Sequence, residues 1–181
     1  MSMINNTVGV RYPWYVRLIF WLQRRKYGVE LEPAHLWGRT PRVFLGLTML
    51  YRALDRRSSP IDPALRSLIT VRISQINWCL FCVDLNSATA LERAVSADKL
   101  RDLSRFEESP LYDEREKAAL RYAEAVTRTD GKVDNRLKHQ LLALFSDEEL
   151  IELTALIAFQ NLSSKFNSAL DIQAQGFCSK P

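Results

Sequence analysis

Cys79 and Cys82 frame the stretch CLFCVDLN, and Asn86 follows the second cysteine by about one helical turn. Two thiols at this spacing can close and reopen a disulfide, or they can supply half of a zinc site. The thiolate is the reactive form, so a working pair is helped by a base or proton donor within reach. Asn86 can hydrogen-bond but carries no proton near neutral pH. A zinc site needs two further ligands, and the chain offers only Cys178, His35 and His139, each far away in sequence. No metal is therefore expected, and the redox reading of the pair is favoured.

The elements that must position these groups read as helices throughout, with no convincing strand pairs. Apolar periodicity and stop signals predict helices over 13–27, closing near Gly28, and over about 40–56, with Thr40 as cap and Pro41 at the first helical position. Asp62 and Pro63 open a third helix that runs to about Ile76. A fourth begins at or just before Cys79 and reaches Ala94, and Ser96 caps a short fifth ending near Phe106. DERE at 113–116 and SDEE at 146–149 each match a capping box, in which an N-cap oxygen is answered by a glutamate three residues later. They open helices of about 114–128 and 147–171, while Gly131 is a stop signal and Asp134 caps a helix of about 135–145 between them. The expectation is a single all-α domain, 1–181, of six to eight helices. Cys79, Cys82 and Asn86 then share one face of the fourth helix, at i, i+3 and i+7. Cys79 falls in its first turn, where free N–H groups and the helix dipole favour a thiolate.

Composition narrows the class. With 47% hydrophobic and 25% charged residues, the chain is that of an ordinary globular protein rather than a disordered or fibrous one. The net charge of +4 comes from scattered basic residues and the short run Arg24 to Lys26, so no nucleic-acid partner is expected. Three cysteines are too few for a disulfide framework and point to a reducing cytoplasm. MSMINNTVGV shows no secretory signal. The apolar stretch from Trp14 to Leu22 carries Arg17 and is too short to span a bilayer. It reads as an amphipathic helix with Trp14, Leu18, Trp21 and Leu22 on one side, packed on the domain or on a neighbouring subunit.

LRSLITVRISQINWCLFCVDLNSATA, AALRYAEAVTR and LFSDEELIELTALIAFQNLSSKFNSAL together resemble the carboxymuconolactone decarboxylase and alkylhydroperoxidase D (AhpD-like) family. The resemblance covers about 40–172 and leaves 1–39 as an N-terminal helical extension. It implies an all-α fold assembled as a trimer or hexamer. In the AhpD-like branch it also implies a Cys-x-x-Cys peroxidase or thiol-disulfide reductase that acts on a small peroxide, draws on a dithiol reductant protein, and uses neither metal nor flavin. The resemblance further implies that a glutamate and a histidine, through water, take the proton of the second cysteine, Cys82. That thiolate then attacks the peroxide, and Cys79 closes the disulfide. Here Asn86 stands where active members carry the histidine, and Ser67 stands where they carry the glutamate. Both cysteines are kept and both ends of the relay are replaced. Acid–base assistance is worth about 10²- to 10⁴-fold, so peroxidase turnover is expected to be weak or specialised rather than absent.

The remaining candidates read as structural. His139 belongs on a helix surface and His35 in a loop. Cys178 is a free thiol on a tail. Arg72 suits an ion pair, and Phe159, Leu162, Phe166 and Leu170 form a stripe of core or subunit interface. Ser67, Gln75 and Asn86 are the polar groups expected to hold a water near the cysteines. Besides the oxidoreductase, two readings stay open: a non-catalytic oligomeric scaffold that keeps the fold, and a non-redox enzyme of the lactone decarboxylase kind.

Overall fold

A computed structural model describes residues 9–178. Positions 1–8, which carry most of the segment read as lacking a secretory signal, lie outside them. Nine α-helices follow in order: α1 Trp14–Tyr27, α2 Glu32–Trp37, α3 Pro41–Leu54, α4 Pro63–Ile76, α5 Leu80–Glu92, α6 Ala97–Asp102, α7 Glu114–Thr127, α8 Asn135–Leu144 and α9 Asp147–Ala169. A short 3₁₀ turn, Leu103–Arg105, continues α6, and no strand occurs among the described residues.

Most helix starts are fixed by the side chains that local sequence marks. Asp62 Oδ1 accepts the N–H groups of Ala64 and Leu65 at 2.8 and 3.2 Å. Ser96 caps α6 and Asp134 caps α8 in the same manner. Both capping boxes form, Asp113 with Glu116 and Ser146 with Glu149. The Ser146 N–H, with help from Arg115, holds the Glu149 carboxyl below the ordinary glutamate value. This cap therefore contributes fully above the ordinary value and fades as pH falls through the lowered one.

Two local expectations are corrected, and a third is narrowed to one of its alternatives. The Thr40 hydroxyl donates back to Trp37 O at 3.1 Å and does not cap α3. The helix α2, with Pro33 in its first turn, occupies the segment read as a loop around His35 and brings the count among the described residues to nine. Its Trp37 ring stacks on Phe166 of α9 at 3.7 Å between centroids. On α1 it is Val16 and Phe20 that pack inward, against Ala34 and Phe44, whereas Trp14, Leu18, Trp21 and Leu22 are exposed. The apolar stripe seen in the sequence is thus the outer face of that helix.

The centre of the fold is α4, which packs against α5, α7 and α9. Leu68, Ile69, Val71 and Ile73 are all but completely buried, worth about 1.5–3 kcal/mol each for the larger side chains. Four of its polar residues, Arg66, Ser67, Arg72 and Ser74, are buried as well. Arg66 donates to the carbonyls of Leu54 and Arg56 at 2.9 and 3.1 Å. Arg72, itself buried, pairs with the half-buried Glu124 at 2.6 Å and bonds Gln75 at 3.0 Å, so its ion pair is partly buried rather than fully on the surface.

The turn from α4 into α5 sets the position of the cysteines. Trp78 N–H donates to Gln75 O at 3.2 Å and Cys79 N–H to Ser74 O at 3.0 Å, the bond pair of a Schellman ending. That ending puts Trp78 in the left-handed region, φ 55°, where glycine is usual. Its side chain is 84% exposed. A bulky residue there costs about 1–2 kcal/mol, and little burial offsets it within the chain. Trp78→Gly is expected to leave stability unchanged or to raise it by about 1 kcal/mol, once the added freedom of glycine in the unfolded state is counted. Urea unfolding checks this, and a clear loss of stability would mean that the indole packs against something outside the chain.

Candidate active site

Cys79 is the N-cap of α5, and its Sγ accepts the N–H of Cys82 at 3.2 Å. The two cysteines are joined as a disulfide with their Cα atoms 5.2 Å apart. Both are buried, at 0% and 4% exposure. The expectation that one helix start brings the pair together is met, with Cys79 half a step outside the helix rather than in its first turn.

Asn86 sits one turn further along α5, on the side facing α4. Its Nδ2 donates to Ser74 Oγ at 3.2 Å and lies 3.5 Å from Thr70 O. Gln160 of α9 donates to the same Ser74 hydroxyl at 2.9 Å, and that hydroxyl donates to Thr70 O at 2.6 Å. The hydroxyl is fully engaged and has no exposure to water. Asn86 is therefore a fixed amide in a closed network, with no group in it that titrates near neutral pH.

Ser67 is on the α5-facing side of α4, but the structure places its hydroxyl away from the cysteines. It donates to Pro63 O at 3.1 Å and accepts from Arg93 Nη1 at 3.3 Å. Arg93 in turn grips the Asp55 carboxylate at 2.7 and 2.8 Å. Ser74 and Ser67 are seven residues apart on one helix, roughly 10 Å by its rise. Gln75 is likewise drawn off, to Arg72. The three polar residues expected to share a water thus have separate partners, and Thr70 and Ser74 take the place facing Asn86.

A residue that sequence reading missed completes the site. Asn167 of α9, 2% exposed, donates from Nδ2 to Cys82 Sγ at 3.2 Å. With Gln160 and Ser164 it forms a buried polar stripe at i, i+4 and i+7 along α9. The helical spacing of these polar residues was the available signal, beside the Phe159 and Phe166 stripe read as core or interface.

The cysteines are roofed by Leu36 of α2 and by Ile172 and Phe177 of the segment after α9. Asp84 holds that segment down. Its carboxylate accepts the backbone N–H groups of Gln175 and Phe177, each at 3.0 Å, and of Cys178 at 2.8 Å. The Gln175 side chain accepts the Glu32 N–H at 2.9 Å and donates to Glu30 O at 3.3 Å, tying the roof to the N-terminal helices. Cys178 has a free, exposed thiol as expected, though on an anchored backbone rather than a loose tail. His35 lies in α2 with Nε2 3.0 Å from Glu30, and His139 is exposed on α8. Among the described residues no helix is long and apolar enough to cross a membrane.

The family model for carboxymuconolactone decarboxylase matches residues 41–125, the span that contains the α4–α5 pair. The Escherichia coli K12 protein YnjA is 46% identical over 171 residues, 94% of each chain. An alkylhydroperoxidase AhpD core, a peroxidase-related protein from Ralstonia eutropha JMP134, superposes with a TM-score of 0.86 at 19% identity, covering 98% of this chain and 94% of that one. The debrominase Bmp8 superposes with a TM-score of 0.81 at 23% identity, over 92% and 89% of the two chains. These two likenesses show a shared fold. With a full-length relative at that identity and the family match over its cysteine hairpin, the chain belongs to the carboxymuconolactone decarboxylase/AhpD-like family.

Proposed function

We propose that this chain is a dithiol oxidoreductase of the peroxidase type, with Cys82 as the peroxide-attacking thiol and Cys79 as the resolving one. The observation that carries the reading is the Cys79–Cys82 disulfide at the start of α5, with an N–H donor on each sulfur. In the cycle, the Cys82 thiolate attacks one peroxide oxygen and the O–O bond breaks. The leaving alkoxide or hydroxide takes a proton, and Cys82 becomes a sulfenic acid. Cys79 attacks that sulfur, water leaves, and the disulfide forms. An external dithiol then returns two electrons and two protons by exchange. The chain acts in the cytoplasm as a homo-oligomer, and the exposed apolar faces of α1 and α3 support the assembly.

Two features make the activity slow. No group around Cys82 can relay a proton, which forfeits roughly 10²- to 10⁴-fold. The pair is also roofed, so peroxide and reductant reach it only when the Asp84-held segment opens. Burial is the observation that favours a second reading, in which the chain is a non-catalytic scaffold with an inert structural disulfide.

The two readings separate by turnover. Dithiol-dependent peroxide reduction is expected to be low in the natural chain and absent in Cys82→Ser. Asn86→His with Ser67→Glu is expected to raise it on the order of 10²-fold, less any share of the new carboxylate that Arg93 claims, and each single change does far less because neighbouring sites do not add. No dithiol-dependent turnover in either chain would leave the scaffold reading.

The roof gives a separate test. Asp84→Ala removes the acceptor of three N–H bonds, and bonds to a charged group are worth about 1.5–3 kcal/mol each. Alkylation of Cys79 and Cys82 in the reduced protein is expected to speed up at least about tenfold, since opening of the segment becomes easier. An unchanged rate would show that access runs by another route.

A further inference from the structure

We propose that Asn167 is a positioning residue for Cys82, held in the core to keep its sulfur as a thiolate. The inference rests on the reading of Cys82 as the reacting thiol. The Asn167 amide is almost wholly buried, and its Nδ2 reaches Cys82 Sγ at 3.2 Å. Its Oδ1 is buried with no hydrogen-bond partner.

That orphan oxygen is the telling feature. An unsatisfied buried acceptor costs about 1–3 kcal/mol, and native structures rarely carry one without a reason. Asn161 on the same helix shows what a structural amide does here. Its Nδ2 donates to Thr127 Oγ1 at 2.9 Å and Ile157 O at 3.1 Å, and its Oδ1 accepts from Asn77 at 2.9 Å. Among the described residues the Asn167 amide makes a single side-chain hydrogen bond, and that bond is to sulfur. A disulfide sulfur accepts weakly, whereas a thiolate accepts a charge-assisted bond about twice as strong as a neutral one. The amide is therefore worth most when Cys82 is reduced and ionised. The two thiols are then served alike: the N-cap geometry gives Cys79 the Cys82 N–H, and α9 gives Cys82 the Asn167 N–H.

The test is the titration of Cys82 in the reduced full-length chain carrying Cys79→Ser and Cys178→Ser, followed by thiolate absorbance, which needs neither turnover nor access through the roof. With Asn167 in place, Cys82 is expected to ionise below the ordinary thiol value of about 8.5. Asn167→Asp keeps the size and replaces the donor with a negative charge, so the midpoint is expected to rise enough to cut the thiolate population at neutral pH at least about tenfold. Asn167→Leu, which removes the donor without adding charge, is expected to give a smaller rise. An unchanged midpoint in folded Asp or Leu variants would overturn the proposal. So would loss of the fold in both, which would assign Asn167 to structure alone. The outcome is separable from the peroxidase reading: a shifted midpoint with no peroxide turnover sinks that reading and leaves this one.

Discussion

The Ser74 hydroxyl sits out of reach of water, and its carbonyl and side chain together bond three parts of the molecule. The carbonyl takes the Cys79 N–H, the side-chain oxygen takes the amides of Asn86 and Gln160, and the hydroxyl proton goes to Thr70. Each bond is obligatory, because a polar group left unmatched at that depth costs about 1–3 kcal/mol. Satisfying them fixes where α5 begins, how it lies along α4, and where α9 crosses both. The cysteine pair inherits its position from that arrangement. So does its chemistry, since the network uses amides and hydroxyls where a proton relay would need groups that titrate.

The same economy explains the strained turn. To reach Ser74 O, the Cys79 N–H must follow a residue in the left-handed region, and Trp78 fills that role although its side chain is exposed. A cysteine at the N-cap instead of serine or aspartate means that the cap atom is also a redox atom. Closing the disulfide and capping the helix are thus done by one sulfur, and the N–H that caps α5 is the one that would steady a Cys79 thiolate.

Local signals were legible in the sequence because they act within a few residues. Asp62, Ser96, Asp113, Asp134 and Ser146 all cap as their neighbours imply. The placing of Cys79, Cys82 and Asn86 on one helix face also followed from spacing alone. What depended on how helices cross was not legible. Ser67 shares a face with Thr70 and Ser74, yet only the packing of α5 decides that the latter two meet Asn86 while Ser67 meets Arg93. Asn167 is far from Cys82 in sequence, and nothing near either residue announces the contact. The six-residue α2 was hidden by its brevity, and the inward face of α1, Val16 and Phe20, by an apolar stripe that turns out to face outward.

A disulfide that cycles and a disulfide that merely staples are the same bond in one structure, and they differ in whether it opens in the folded protein. The decisive measurement is a thiol count by mass on the native chain, which has three cysteines, taken through dithiol, then peroxide, then dithiol again. Cycling predicts three labelled thiols, then a loss of the two at Cys79 and Cys82 with Cys178 still labelled, then recovery of all three. A pair that stays oxidised under dithiol until the protein is unfolded, or stays reduced under peroxide, would contradict the account.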